Sequence, residues 1–193
     1  ITAVKQDHRQ AGSGVLFVAV QGTQVDGHAF LKEAEALGAV LVGEREYASP
    51  NYFRVPDSRL ALSEAAAALQ GWPTRGLKVV GVTGTSGKTT TTYLVESILQ
   101  RAGMKVGVIG TVNFRVGSKV LPSTHTTPGP IELQRLLSQM RDEGCQAIVM
   151  EVTSHALKQK RAAGVLFDAV AFSNLTPEHL DYHPDLEDYF QSK

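Results

Sequence analysis

Residues 78–101 read KVVGVTGTSGKTTTTYLVESILQR, and no other stretch of the 193-residue chain restricts the fold as much. An apolar strand run passes without a linker into a glycine-rich turn, and the turn passes directly into a helical pattern. That order makes a βα unit, which needs a parallel sheet to bury both elements. Glycines in the turn let backbone N–H groups point at phosphate oxygens, and the helix adds its positive end. In such a loop Lys88 would neutralise the outer phosphates and the Thr89 hydroxyl would hold Mg²⁺. The strict phosphate-loop pattern wants a glycine five residues before Gly87, but position 82 is Val, with glycines at 81 and 84 instead. The competing reading is a glycine-rich turn with an incidental lysine; the strand before it and the helix after it argue against that.

Strand and helix signals alternate on either side. VLFVAV (15–20) and AVLVGE (39–44) read as buried strands flanking the helical HAFLKEAEALG (28–38), and Asp57 is a good N-cap for a helix running to Gly71. GWPTRG (71–76) interrupts the pattern and separates a domain at 1–74 from one at 75–193. KVGVIG (105–110) is the next strand. IELQRLLSQMRDEG (131–144) is a helix with Leu133, Leu136, Leu137 and Met140 on one stripe. AIVM (147–150) and DAVAF (168–172) suit the interior of a parallel sheet. The fold class is therefore α/β: a small N-terminal α/β domain, then a P-loop-type, mostly parallel sheet. The chain opens on Ile1 and stops at Lys193 inside a helical pattern, so a piece of a longer protein is expected.

Composition excludes some partners. The 19 basic residues balance 19 acidic ones, which argues against a general nucleic-acid or anionic-membrane binder. Cys145 is the only cysteine, so there is no internal disulfide. No apolar run approaches the roughly 20 residues that span a bilayer. A cytoplasmic protein is the expectation.

Open α/β sheets bind ligands outside the carboxyl ends of their strands. Three polar segments occupy such positions: the loop 84–89, Glu151 after the strand at 147–150, and SNLTPEHLDYH (173–183). Glu151 suits a Mg²⁺ ligand or water-holder opposite the phosphate loop; alone it would be a solvated strand-end residue. His179, Asp181 and His183 raise the alternative of zinc, although their spacing fits no standard zinc pattern. Of these, His179 reads as functional and His183 as structural, with a helix cap before Pro184 as its bland role. PDLEDYFQSK (184–193) reads as a helix with Pro184 at its first position and Leu186, Tyr189 and Phe190 as its apolar stripe. Lys193 falls on the same stripe, where a charge is costly unless paired, deprotonated or modified; a terminal lysine snorkelling to water is the simpler reading.

GVTGTSGKTTTT, HTTPGPIELQRLL, MEVTSHALKQKR and FSNLTPEHLDYHPDLEDYFQSK together resemble the Mur ligases, specifically the MurE branch, and LFVAVQGTQVDGHAF (16–30) resembles that family's UDP-binding N-terminal domain. The resemblance implies an ATP-dependent ligase of peptidoglycan synthesis, using UDP-MurNAc-L-Ala-D-Glu and a free amino acid, diaminopimelate or lysine. ATP would phosphorylate the carboxylate, and the amine would displace phosphate from the acyl phosphate. It implies that Gly84, Thr85, Ser86, Gly87, Lys88, Thr89 and Thr90 cradle ATP, that Thr89 and Glu151 serve one Mg²⁺, and that His179 holds a second. Lys193 falls at the position of the family's carbamylated lysine. Nucleotide-sugar contacts would come from Thr23, Gln24, Val25, His125, Thr126, Thr127, Thr153, Gln159 and Arg161, with N-capping for the Thr pair and a solvated helix face for Gln159 and Arg161 as the bland alternatives. Asp7-His8-Arg9 stands where the family has Asp-Ser-Arg, so a uridine contact expected of serine falls to His8. A monomer, no membrane and no nucleic-acid partner are implied, as is a C-terminal amino-acid-binding domain beyond Lys193, without which the piece should not turn over. A sister ligase such as folylpolyglutamate synthase, a non-catalytic nucleotide module, a P-loop GTPase or a UDP-sugar binder are the competing readings.

Overall fold

The computed structural model describes residues 1–22 and 25–193. The chain divides into two compact units, Ile1–Gly71 and Trp72–Lys193. The first is a four-stranded parallel sheet in the order β1 (Ala3–Lys5), β2 (Val15–Val18), β3 (Val40–Gly43), β4 (Tyr52–Arg54). Its helices are α1 (Leu31–Ala36) and α2 (Ser58–Leu69). Phe17, Leu31, Ala34 and Leu41 form the core, the strands contributing fully buried side chains from their middles. The expected helix at 28–38 is shorter than its pattern, because a 3-10 turn at Gly27–Phe30 comes first, capped by Asp26. Asp57 caps α2 as expected, its carboxylate accepting the Leu60 N–H at 2.8 Å.

The second unit holds a six-stranded sheet. Its strands in chain order are β5 (Lys78–Thr83), β6 (Val106–Ile109), β7 (Asn113–Val116), β8 (Lys119–Pro122), β9 (Ala147–Glu151) and β10 (Ala169–Phe172). Across the sheet the order is β10-β5-β9-β6-β7-β8, parallel from β10 to β6 and antiparallel from there on. Helices α3 (Lys88–Arg101), α4 (Pro130–Asp142), α5 (Ser154–Lys158) and α6 (Leu186–Ser192) connect or follow the strands. The stripe read on α4 is the core face: Leu133, Leu136, Leu137 and Met140 are all fully buried with Ile148 and Met150 of β9. Pro130 occupies the first turn of α4, where no N–H is needed.

Three expectations need correction. DAVAF is an edge strand among the described residues: β10 pairs only with β5, and Val170 is 75% exposed, so its apolar run does not mark the sheet interior. Pro184 precedes the α6 cap, because Asp185 is the capping residue and accepts the Asp188 N–H at 2.8 Å. Leu186 and Phe190 are exposed and only Tyr189 of the proposed stripe is buried, since α6 touches its unit along one narrow line. The β7–β8 hairpin had no advance signal.

Candidate functional site

Strand β5 ends at Thr83 and α3 begins at Lys88, so the four residues between them must reverse the chain. Gly84 adopts φ +133°, and a side chain there would collide with Ser173 and crowd the Asn174 backbone. Glycine is therefore required on both conformational and steric grounds. The loop is braced by the segment after β10: Thr85 N–H donates to Asn174 O at 2.9 Å, Ser86 N–H to Asn174 Oδ1 at 3.0 Å, and Ser173 Oγ to Ser86 O at 2.7 Å. Gly87 caps α3 with no side-chain bond, so the first-turn N–H groups are left to a ligand or solvent. Lys88 folds back over the loop, its ammonium donating to Gly84 O at 2.8 Å and Thr85 O at 2.7 Å. Thr85 points inward instead, with its hydroxyl 3.0 Å from that of Tyr189. Thr90 is exposed on the first turn of α3.

At the end of β9, alongside the loop, Glu151 is 1% exposed. Its carboxylate accepts from Thr89 Oγ1 at 3.0 Å, from Thr111 N–H at 3.0 Å and from Thr111 Oγ1 at 3.0 Å. Gly110 makes this cradle possible, because a Cβ there would collide with the Glu151 carboxylate. Gly110 and Thr111 were not read as functional from sequence; only their place just past a strand end could have drawn attention to them. The all-oxygen pair of Thr89 and Glu151 beside a phosphate loop fits a hard cation such as Mg²⁺, which takes few carboxylates and completes its shell with phosphate and water. Zinc does not fit: both His183 ring nitrogens are engaged, and no three metal-ligating side chains converge among the described residues.

A second polar group lines the same cavity of about 520 Å³. Thr127, 1% exposed, donates to Glu151 O at 2.9 Å and accepts the Thr153 N–H at 3.1 Å, so it locks the end of β9. Thr153 caps α5 through the Ala156 N–H at 3.2 Å. Arg161 is oriented from two sides, donating to Thr127 O at 2.9 Å and to Gln159 Oε1 at 2.7 and 3.0 Å. Gln159 itself serves Arg161 and Tyr182 and does not line the cavity. Thr126 lies 3.1 Å from Thr111 by their hydroxyls, and His125 is also at the wall.

His179 stands at the cavity mouth in a left-handed turn, φ +57°, with Glu178 Oε2 at 3.9 Å from its Nε2. His155, unread in the sequence, also lines the cavity; its ring stacks on Tyr182 at 4.1 Å and meets His179 edge-on at 4.8 Å. Burial, then the neighbouring His179 and His183, push its pKa below the ordinary imidazole value. Lys193 donates to Gly84 O at 2.9 Å, lies over the Tyr189 ring at 4.7 Å, and does not point freely to water. Burial first and the Lys88 charge second lower its pKa to about 8.

The remaining named residues lie in the first unit. His8 stacks on Phe30 at 4.0 Å with its Nε2 3.4 Å from Glu33. Val25 is exposed in a loop closed by the Gln21–Asp26 bridge, and Thr23 and Gln24 lie outside the described residues.

A mixed sheet with a parallel centre, a phosphate loop at a strand's carboxyl end and a buried carboxylate facing the loop's Thr89 define a nucleotide-binding α/β unit of the phosphate-loop class. Residues 82–193 match the Mur ligase middle domain, and residues 1–70 match the Mur ligase family, catalytic domain. The chain belongs to the Mur ligase family. It is 52% identical over 191 residues to the UDP-N-acetylmuramoyl-L-alanyl-D-glutamate--2,6-diaminopimelate ligase of Geobacter sulfurreducens, covering 97% of this chain and 38% of that protein. A solved structure of a ligase of that name superposes with TM-score 0.85 at 29% identity, over 100% of this chain and 40% of the other. The MurF ligase from Thermotoga maritima in complex with ADP superposes with TM-score 0.59 at 25% identity, over 98% of this chain and 41% of the other. The chain thus spans about two-fifths of the length of the curated relatives it matches. No described helix is long and apolar enough to cross a membrane.

Proposed function

We propose that the full-length protein is an ATP-dependent amide ligase that joins an amino acid to the D-Glu carboxylate of UDP-MurNAc-L-Ala-D-Glu in peptidoglycan synthesis. The observation that carries the reading is the meeting of two kinds of surface in one cavity: a phosphate loop with Lys88, and an anion-orienting wall with Arg161, Thr127 and Thr153. The name of the 52% identical relative favours diaminopimelate as the amino acid, with lysine as the competitor. A bound ADP in a structural neighbour agrees with ATP as the phosphoryl donor.

A carboxylate is a poor electrophile, so the first step moves the terminal phosphoryl group of ATP onto a carboxylate oxygen and releases ADP. Amine nitrogen then attacks the acyl carbon, the C–O bond to phosphate breaks, and a proton leaves the nitrogen. First-turn N–H groups of α3 and Lys88 hold the phosphates and match the charge that builds on the transferring group. Thr89 and Glu151 would hold Mg²⁺, which when bound neutralises phosphate oxygens and fixes their orientation. His179 would serve a second Mg²⁺ on the acyl side. The lowered pKa of Lys193 gives a neutral amine at accessible pH, the form that adds carbon dioxide with loss of a proton, and a carbamate there would replace a cation beside Lys88 with an anion. His8 and the loop at Thr23, Gln24 and Val25 are assigned to the uridine end, and Gly84 to Thr90, His125, Thr126 and Gln159 complete the set. A monomer working in the cytoplasm, where ATP is supplied, completes the proposal.

The test is Lys88→Ala in the full-length protein. Phosphate release falls to background while the UDP-dipeptide still binds in calorimetry; unchanged turnover defeats the assignment.

A further inference from the structure

Across residues 173–193 only two side chains are buried, His183 and Tyr189. This is the segment that carries His179 at one end and Lys193 at the other. Helix α6 has little apolar area to hold it, with Leu186 40% and Phe190 48% exposed. Beyond the buried Tyr189, polar contacts hold it in place, and the hydrogen bonds show which.

His183 is 0% exposed and bridges two elements. Its Nδ1 lies 2.7 Å from Asp188 Oδ2 on α6, and its Nε2 lies 3.0 Å from the hydroxyl of Ser154, the first residue of α5. A carboxylate only accepts, so Nδ1 carries the proton in this pair. Asp188 is held ionised by Lys158 of α5, which also donates to it, and by His183. The Ser154–His183–Asp188 line resembles a hydrolytic triad, but Ser154 is 1% exposed and does not line the cavity beside the phosphate loop, so a substrate there does not reach its hydroxyl. Backbone bonds extend the anchor: His183 N–H donates to His179 O at 2.8 Å, which closes the turn holding His179 in its left-handed conformation. Tyr189, the residue after Asp188, and Lys193, at the end of the helix, reach the phosphate loop at Thr85 and Gly84.

We infer that His183, with Ser154 and Asp188, is a positioning residue for catalysis: it pins the turn of His179 and helix α6 onto α5, and through Tyr189 sets the phosphate loop. This rests on the proposed ligase reading for its kinetic arm but not for its structural one. The buried line joins the wall that begins with Thr153 to the loop that holds the nucleotide, so a change at either is felt at the other.

The experiment compares full-length wild type with His183→Gln, the milder Ser154→Ala, Tyr189→Phe and the His183→Gln/Tyr189→Phe double variant, well below their melting temperatures. Hydrogen exchange is read by mass spectrometry in peptides covering 84–91 and 178–193, alongside steady-state phosphate release. The inference predicts faster exchange in both peptides for His183→Gln, with a smaller change in the same direction for Ser154→Ala. It predicts a kcat loss of roughly tenfold or more with the KM for UDP-dipeptide within about twofold. Adding Tyr189→Phe to His183→Gln should lower kcat by no more than about twofold further, because both act through one link. Exchange that rises only in 178–193, or losses that multiply fully in the double variant, overturns it. If wild type shows no turnover, the ligase reading fails, and the exchange arm still decides the positioning role. Should His183→Gln not fold, Ser154→Ala decides by the same two peptides.

Discussion

Replacing Gly110 by alanine adds one methyl group at the most demanding point of the cradle around Glu151. Gly110 does not have a positive φ, so alanine adds no backbone strain, and through the unfolded state alone it would stabilise by about 0.4–1 kcal/mol. The new Cβ would overlap a Glu151 carboxylate oxygen and stand 3.3 Å from Cδ and 3.5 Å from Cγ. The carboxylate is 1% exposed and already held by Thr89 and Thr111, so any shift disturbs those bonds. Any shift lengthens its bonds from Thr111 N–H and Thr89 Oγ1, both 3.0 Å, and each bond to a charged acceptor is worth about 1.5–3 kcal/mol. A displacement near 1 Å at a site proposed to align phosphate and metal should cost about 100-fold in kcat, or about 2.7 kcal/mol of barrier. The assay is steady-state phosphate release by the full-length protein. Gly76→Ala serves as the control, since a Cβ there meets nothing within 4 Å. A Gly110→Ala enzyme with kcat within about twofold of the control would refute the reasoning.

Further outcomes follow from other contacts. Lys193 has a folded-state pKa of about 8 against a reference of 10.5, so between those values the unfolded chain holds more protons; the cost of its charge is fully present below about pH 8 and is relieved as pH rises towards 10.5. In carbon-dioxide-free buffer the stability gap between Lys193→Met and wild type, read from urea midpoints, therefore narrows across that window, and a constant gap contradicts the assignment. With labelled bicarbonate, a carbamate carbon signal should appear near pH 8 in wild type and be missing in Lys193→Arg. Glu96 on α3 and Arg115 on β7 form a mostly buried pair, with 10% and 18% of their side chains exposed. Glu96→Gln removes the charge opposite the guanidinium, which keeps its bonds to Asn113 and Tyr93, and should lower stability by about 3 kcal/mol while leaving kcat of the folded enzyme unchanged; a stability change below about 0.5 kcal/mol would mean the pair is effectively solvated.

The sequence made the phosphate loop and the core of α4 legible because each obeys a local rule. Glycine spacing before Lys88 and the stripe of Leu133, Leu136, Leu137 and Met140 need only neighbours a few residues apart. Helix α6 was readable as an element but not in its seating, because exposure of Leu186 and Phe190 depends on what packs beside them. DAVAF carried the composition of an interior strand while lying at a sheet edge, since composition reports apolarity and not strand order. Gly110, Thr111 and His155 were missed for a related reason. They act through Glu151, His179 and Tyr182, at least 24 residues away in each case, and no local pattern records such meetings. Arg161 was named through the resemblance and its charge suits an anionic group; Gln159, two residues away, helps to orient it, but its bond to Thr127 O comes from a residue that only the fold brings near.

The central claim is that a carboxylate is activated by phosphorylation in the cavity between the phosphate loop and Arg161. The most direct measurement supplies the full-length protein with Mg-ATP, an amino acid and UDP-MurNAc-L-Ala-D-Glu labelled with oxygen-18 in the acceptor carboxylate, then reads the released phosphate by mass. An acyl phosphate route transfers one labelled oxygen to each phosphate formed. Unlabelled phosphate from a reaction that still makes the amide would contradict the account.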